Sequence, residues 1–535
     1  MKKKYVRWTL WTIASPFILF IILCILIYLP PIQNFLVDKA AVYASEATGM
    51  NISVGRISLS FPLNLVVTNV DAASPHNDTL LSVRRLQVNV QLLPLLKKQV
   101  EVDGISLQGA TVNSNDLIHG MKLNGTLGEL FISSHGVALD PETAIVNKVL
   151  LKDTDLSLCL NDTAAADTAA SDTTYWKIIL QDIDLQNVSF ALDMPLDSLS
   201  LAASLDNAIL RDGLIDLHKS TYSLQTFRIE NGRVRYDNGK PLAADSLSSG
   251  LDPSHIALTD IGVKLDSLYY EGRNMKAIIS QFVLKERSGV EIVSATGRMV
   301  SNDKVLRVPS LKLETRDSYL ELNAAMDWNA LDFKDEGLVS ARLMADIGKP
   351  DVMRFMGSMD EKFIRQYPSE PLRIRTGIDG DLNKLKLTTL TAELPGALGL
   401  FARGELTHLT DSLLRGGDIT LEAETKDLKF VSTLAEGIEI PYGTRLEGKF
   451  TMAGTKMGTD LLLMQPEAQA VVAADTIPIT VYNDSISVAD DFKMERAARL
   501  FAKYDLSRDR YEADLAVNHF DLHQFMPADS LYTLS

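Results

Sequence analysis

Leu320-Glu321-Leu322-Asn323-Ala324-Ala325-Met326-Asp327-Trp328 puts an apolar side chain at every second position. Successive side chains of a strand point to opposite sides of a sheet, so this stretch builds one greasy face and one wet face. The same period of two returns upstream in Leu86-Gln-Val88-Asn-Val90-Gln-Leu92, Ile261-Gly-Val263-Lys-Leu265 and Leu311-Lys-Leu313. Downstream it returns in Ile419-Thr-Leu421-Glu-Ala423. Alternation of this kind marks antiparallel sheet with one solvated face. Asp103-Gly104, Asn231-Gly232 and Asp379-Gly380 read as tight turns between such strands.

Three stretches are alike: Val102-Asp-Gly-Ile-Ser-Leu-Gln-Gly-Ala-Thr-Val112, Leu180-Gln-Asp-Ile-Asp-Leu-Gln-Asn-Val-Ser-Phe190 and Tyr222-Ser-Leu-Gln-Thr-Phe-Arg-Ile-Glu-Asn-Gly-Arg-Val234. Each reads as strand, small or polar break, strand, without the fixed period of a solenoid or propeller. Helical spacing is rare. Asp351 to Gln366 carries Val352, Phe355, Met356, Met359 and Phe363 on one stripe closed by Tyr367-Pro368, and Asp427 to Glu436 and Ala489 to Lys503 are weaker helices. Asn161 to Thr174 (NDTAAADTAASDTT) reads as a low-complexity loop, and Gly239 to Pro253 as a second one.

The N-terminus follows another rule. Residues 1–9 open with MKKKYVR, and residues 10–29 (LWTIASPFILFIILCILIYL) carry no charge. A helix of that length is about 30 Å long, the thickness of a bilayer's hydrocarbon core. Trp8 and Trp11 at one end and Tyr28 at the other stand where interfacial aromatics belong, with Phe17 and Phe20 inside the span. The basic flank predicts a cytoplasmic N-terminus, with the chain beyond Pro30 on the far side. The run is longer than a signal peptide's apolar region, and Pro30-Pro31 leads to Ile32, Phe35 and Leu36 with no small-residue cleavage site close by, so an uncleaved anchor is expected. Residues 30–49 continue as a short amphipathic helix ending at Gly49.

Composition bounds the function. The 535 residues exceed one ordinary core. A hydrophobic share of 46% with 23% charged residues describes a folded chain. A net charge of −16 argues against nucleic acid, whose phosphates need a basic stripe. Two cysteines, Cys24 and Cys159, cannot form a Cys₄ zinc site or a disulfide framework. His519 and His523 would stand roughly 13 Å apart on a strand, too far to share an ion. Aspartates such as Asp71, Asp153, Asp155, Asp182 and Asp184 read as turn residues. No phosphate-binding, zinc-protease or nucleophile-elbow motif occurs. The expectation is a non-enzymatic protein without cofactor or metal.

Ala47-Thr48-Gly49 is followed by Ile52-Ser-Val-Gly-Arg-Ile-Ser-Leu59, Leu65-Val-Val-Thr-Asn-Val-Asp71, Asp78-Thr-Leu-Leu-Ser-Val-Arg-Arg-Leu-Gln-Val88 and the Leu92 to Val112 segment. Together with the anchor, this order resembles the amino-terminal signature of the AsmA-like superfamily, particularly its TamB-type members. The resemblance implies an inner-membrane protein of a Gram-negative bacterium with its bulk in the periplasm, and the Asp-Thr and Asp-Ser turns suit a Bacteroidetes-like source. It implies an elongated, curled antiparallel β-groove whose apolar lining takes phospholipid acyl chains. Such proteins support lipid movement and outer-membrane biogenesis, in some cases with an outer-membrane assembly partner. TamB's carboxy-terminal domain is not evident. The fold expected is therefore mainly β: an anchor, then an AsmA-like region over residues 50–160, the loop at 161–174, and a repeated β-groove over 175–535. Leu86, Val88, Val90, Leu311, Leu313, Leu320, Leu322, Ile419 and Leu421 are the expected groove lining. The main competing expectation is a scaffold for assembling outer-membrane proteins. A third is an anchored hydrolase or receptor made of closed sandwiches.

Overall fold

A computed structural model describes residues 50–60, 64–74, 79–90, 102–114, 120–138, 142–161, 175–239, 250–333, 336–357, 359–434, 439–466 and 494–518, with a few positions between 39 and 49. The protein is mainly β, and its described residues form 24 strands in two compact units. The first unit carries β1 (Asn51–Ser60), β2 (Asn64–Ala73), β3 (Thr79–Val90), β4 (Val102–Asn113), β5 (Met121–Ala138), β6 (Thr143–Leu160), β7 (Lys177–Met194), β8 (Leu199–Asp216), β9 (Thr221–Leu224), β10 (Thr226–Asp237) and β11 (His255–Glu271). Neighbours in sequence pair antiparallel, except that β6 and β7 run parallel, Thr143 beside Lys177 and Cys159 beside Asp193. β9 and β10 share one slot between β8 and β11.

The second unit is an antiparallel meander of β12 (Asn274–Glu286), β13 (Glu291–Ser301), β14 (Val305–Thr315), β15 (Tyr319–Asp327), β16 (Leu338–Ile347), β17 (Leu372–Asp381) and β18 (Lys384–Leu394). It continues through β19 (Leu398–Thr407), β20 (Gly416–Thr425), β21 (Arg445–Ala453), β22 (Lys456–Pro466), β23 (Met494–Asp505) and β24 (Arg510–Val517). Its helices are short: α1 (Trp328–Leu331), α2 (Lys349–Met356) and α3 (Glu361–Gln366). They lie at the strand ends. At one rim Phe363, Tyr367, Leu394, Ala397, Leu428 and Phe430 form a core, and at the other Ala330, Val339 and Leu382 form a smaller one.

Several sequence expectations need correction. Two of the three alike stretches are not strand, break, strand, because the break falls inside one long strand, Gly109 in β4 and Asn187 in β7; the third is β9, a break at Gln225 and β10, with Asn231 a further interruption inside β10. Gly109, Asn187 and Asn231 are left-handed (φ 62°, 51° and 54°), as are Asn69, Asp153 and Asp260 inside β2, β6 and β11. The ladder skips these positions pair by pair: Gly55 beside Asn69, Arg84 beside Gly109, Gly128 beside Asp153 and Asn187 beside Asp206. They therefore stand level across the first unit. A left-handed residue reverses the alternation, so the apolar set changes parity without changing face. In β7 it is Ile183 and Leu185 before Asn187, then Val188, Phe190 and Leu192 after it. Gly, Asn and Asp tolerate that conformation best, so residues that punctuate turns here sit within strands.

Asp103-Gly104, Asn231-Gly232 and Asp379-Gly380, expected as turns, also lie within strands, β4, β10 and β17. Asp71, Asp155, Asp182 and Asp184 are likewise strand residues. The expected helix over 351–366 is two helices, parted at Gly357 (φ 76°). Its stripe divides accordingly: Phe363 is buried while Phe355 and Met356 are exposed. The weaker helix over 427–436 is one 3-10 turn, Val431–Thr433, and residues 494–503 of the other are part of β23. There cross-strand pairing with β22 overrides helix propensity.

Candidate functional site

The cross-strand register carries an apolar face across the second unit. One row runs Leu313, Leu320, Ala345, Ile374, Ala392, Leu400, Ala423, Leu446, Leu463, Ala498 and Val517, each directly opposite the next. A parallel row includes Leu311, Leu322, Leu343, Leu390, Ala402, Leu421, Leu461, Leu500 and Leu515. Ile419 belongs to a third, opposite Gly404 and Phe450. These rows hold no charged residue. Bulges at Pro309-Ser310 and Thr388-Thr389 keep them aligned where the strands slip. In the first unit Leu86 lies opposite Val67 and Leu107, Val88 opposite Leu65 and Ile105, and Val90 opposite Val102.

Charge collects on the other face. Arg375 bonds Asp346 at 2.6 Å, Lys384 reaches Glu405 at 3.2 Å and Arg445 reaches Glu424 at 3.3 Å. Arg499 clasps Asp460 with two guanidinium nitrogens, and this bonding holds the Asp460 carboxyl below its ordinary range. In the first unit Arg211 pairs with both Asp182 and Asp184.

The degree of cover separates this face from an ordinary core. Leu86, Val88, Leu311, Leu313, Leu320, Leu322, Ile419 and Leu421 are half-buried: none is sealed and none stands free. Full burial is confined mostly to small residues and strand ends, such as Ala402 and Leu394. Among the described residues of the second unit, helices cap the two rims and no second layer lies over the rows between them. The face deepens toward its last strands. Leu406, Ile419, Phe450, Met452, Met457 and Tyr511 border a concavity of about 400 Å³, within the ~300–1,000 Å³ span of small-molecule pockets. The sequence reading missed it, since Phe450, Met457 and Tyr511 come from three strands joined only by register.

One buried polar cluster lies away from this face. Asp351, 1% exposed, accepts hydrogen bonds from Thr315, from Ser318 at 2.6 Å and from Arg354 at 2.7 Å. Burial pushes its carboxyl up, but these bonds and the guanidinium charge outweigh it and hold the group below its usual range. Ser318 Oγ also accepts from Gly348 N, and Arg354 donates to Asp317, so the cluster ties α2 to the β14–β15 turn. It is a joint, with every partner accounted for.

No group of three metal-ligating side chains occurs among the described residues. Cys159 is a free thiol in β6. Trp8, Trp11, Phe17, Phe20 and Tyr28, with the span at 10–29, lie outside the described residues, as do Cys24, His519 and His523. No described helix is long and apolar enough to cross a membrane. No family model matches the chain, and no curated protein is similar to it.

Proposed function

We propose that the chain is an inner-membrane-anchored envelope protein whose apolar sheet face binds phospholipid acyl chains in the periplasm and passes them toward the outer membrane. The observation that carries this reading is the registered, charge-free and half-open face. A contiguous apolar surface without a protein lid is expected to be a binding surface. Acyl chains suit it because they need no hydrogen bonds and adapt to a long surface lacking fixed polar anchors. The AsmA-like order of residues 47–112 and the apolar run at 10–29 point the same way. No catalytic step is assigned.

The test is direct. The full chain is purified from membranes under mild conditions and its bound lipid counted by mass spectrometry. Leu322→Glu and Leu421→Glu put charge on the open face, so lipid occupancy should fall severalfold while the β-sheet spectrum is kept. Unchanged occupancy in both folded variants, or no lipid in the parent, ends this reading.

A second reading, a scaffold for outer-membrane protein assembly, is favoured by β24. All eight of its residues are exposed, its described partner is β23 alone, and it lacks the proline or inward charge that usually blocks a sheet edge. A partner crosslinked through 510–517 to a lipid-free chain would favour it.

A further inference from the structure

Two main-chain bonds fix which amides of β24 face away from β23. Leu506 N donates to Thr455 O at 2.9 Å, and Asn518 N donates to Ala497 O at 2.9 Å. In an antiparallel ladder successive residues turn their amides to opposite neighbours. The even-numbered residues of β23 therefore bond β22, and its odd-numbered residues bond the even-numbered residues of β24. Tyr511, Ala513, Leu515 and Val517 are left with N–H and C=O groups that no described strand takes up. Their side chains lie on the apolar face, where Tyr511 is 79% exposed, Leu515 66% and Val517 57%. An edge that offers main-chain groups and apolar side chains at the same positions fits an extended backbone.

The wet side of β24 narrows what that backbone must carry. Arg510 and Glu512 satisfy each other at 2.9 Å. Asp514 has no hydrogen bond or ion pair among the described residues. It lies opposite Phe501, whose ring holds the Lys503 ammonium at 4.8 Å. A strand added antiparallel meets Glu512 and Asp514 in non-hydrogen-bonded pairs, where Cα atoms stand about 4.5 Å apart and side chains come closest. There a cation opposite Asp514 is favoured and a like charge is penalised. A second copy of β24 fits badly, because its two longest face-matched antiparallel registers set Asp514 against Glu512 or against itself.

We propose that the edge of β24 takes up an extended segment of a partner protein as a further antiparallel strand, one that alternates apolar with polar residues and sets Lys or Arg opposite Asp514. The segment's main chain satisfies Tyr511, Ala513, Leu515 and Val517, and its apolar positions extend the greasy face by one strand. Such uptake rests on the scaffold reading and deepens it by naming what the edge selects. Lipid on the sheet face is not required for it.

The full chain in amphipol is titrated into two fluorescein-labelled synthetic peptides, one alternating valine with lysine and one alternating valine with glutamate. Anisotropy should show the lysine peptide bound several-fold more tightly. Diffuse attraction to a chain of net charge −16 gives the same preference, so two variants locate the binding. Ala513→Pro removes an outward N–H without touching a bond to β23, and should abolish uptake at an unchanged melting temperature. Asp514→Lys should lower the lysine peptide's affinity several-fold and raise that of the glutamate peptide. Lysine-peptide binding that survives Ala513→Pro, or affinities that Asp514→Lys leaves unchanged, overturn the proposal. So does slow hydrogen exchange at 511, 513, 515 and 517 before any peptide is added, which would mean that the chain already covers its own edge. A partner crosslinked through 510–517 by a segment without the cation also overturns it, yet leaves the scaffold reading standing. Absence of both peptide uptake and a crosslinked partner removes the two together.

Discussion

At Asn187 the side chain matters less than the backbone it permits. Its φ of 51° sits inside an eighteen-residue strand, and its amide donates to Asp153 at 2.9 Å. Asn187→Gly should leave stability nearly unchanged, whereas Asn187→Val should cost about 1–2 kcal/mol, because β-branched residues strongly resist the left-handed region. Denaturant midpoints of the two variants check this, and equal costs would refute the backbone argument. Asp351 works through charge. Its pKa is lowered in the fold, so it adds stability that is complete above its unfolded value near ~4 and is lost as pH falls through the lower folded value. Asp351→Asn should cost about 2 kcal/mol at neutral pH and should flatten the acid limb of the melting curve. A variant as acid-sensitive as the parent would remove Asp351 from that role.

Among the elements, α2 and α3 show how little of a helical stripe is needed at a rim. Phe363 lies in the aromatic cluster with Tyr367 and Phe430, at ring separations of 5.8 and 5.6 Å. Phe355 on α2 is exposed. Phe363→Ala should therefore cost about 3–5 kcal/mol, and Phe355→Ala within about 0.5 kcal/mol of nothing. Thermal melts distinguish the pair, and similar losses would mean that one continuous stripe is buried after all. The 3.6 period of 351–366 was legible, but Gly357 divides it and the sheet rim has room for one side only. At β23 a helical pattern was overruled because eleven residues pair in register with β22, which local spacing cannot foresee.

For the whole molecule, the decisive quantity is the cover over the apolar rows. If acyl chains supply it, stripping lipid from the full chain should raise the fluorescence of a hydrophobic dye and promote association, and added phospholipid should reverse both. A chain indifferent to delipidation would show that the rows need no cover. The alternation at 320–328 and 419–423 by itself determined that the protein is mainly β with one apolar side, since a period of two has one structural meaning wherever it persists. The apolar identities of Leu322 and Leu421 were equally plain. Only the tertiary structure decided which of them share a row, because register joins residues a hundred positions apart. It also decided that Gly109, Asn187 and Asn231 bend strands instead of ending them, since a left-handed residue within a strand and one in a turn look alike until a neighbouring strand pairs across it.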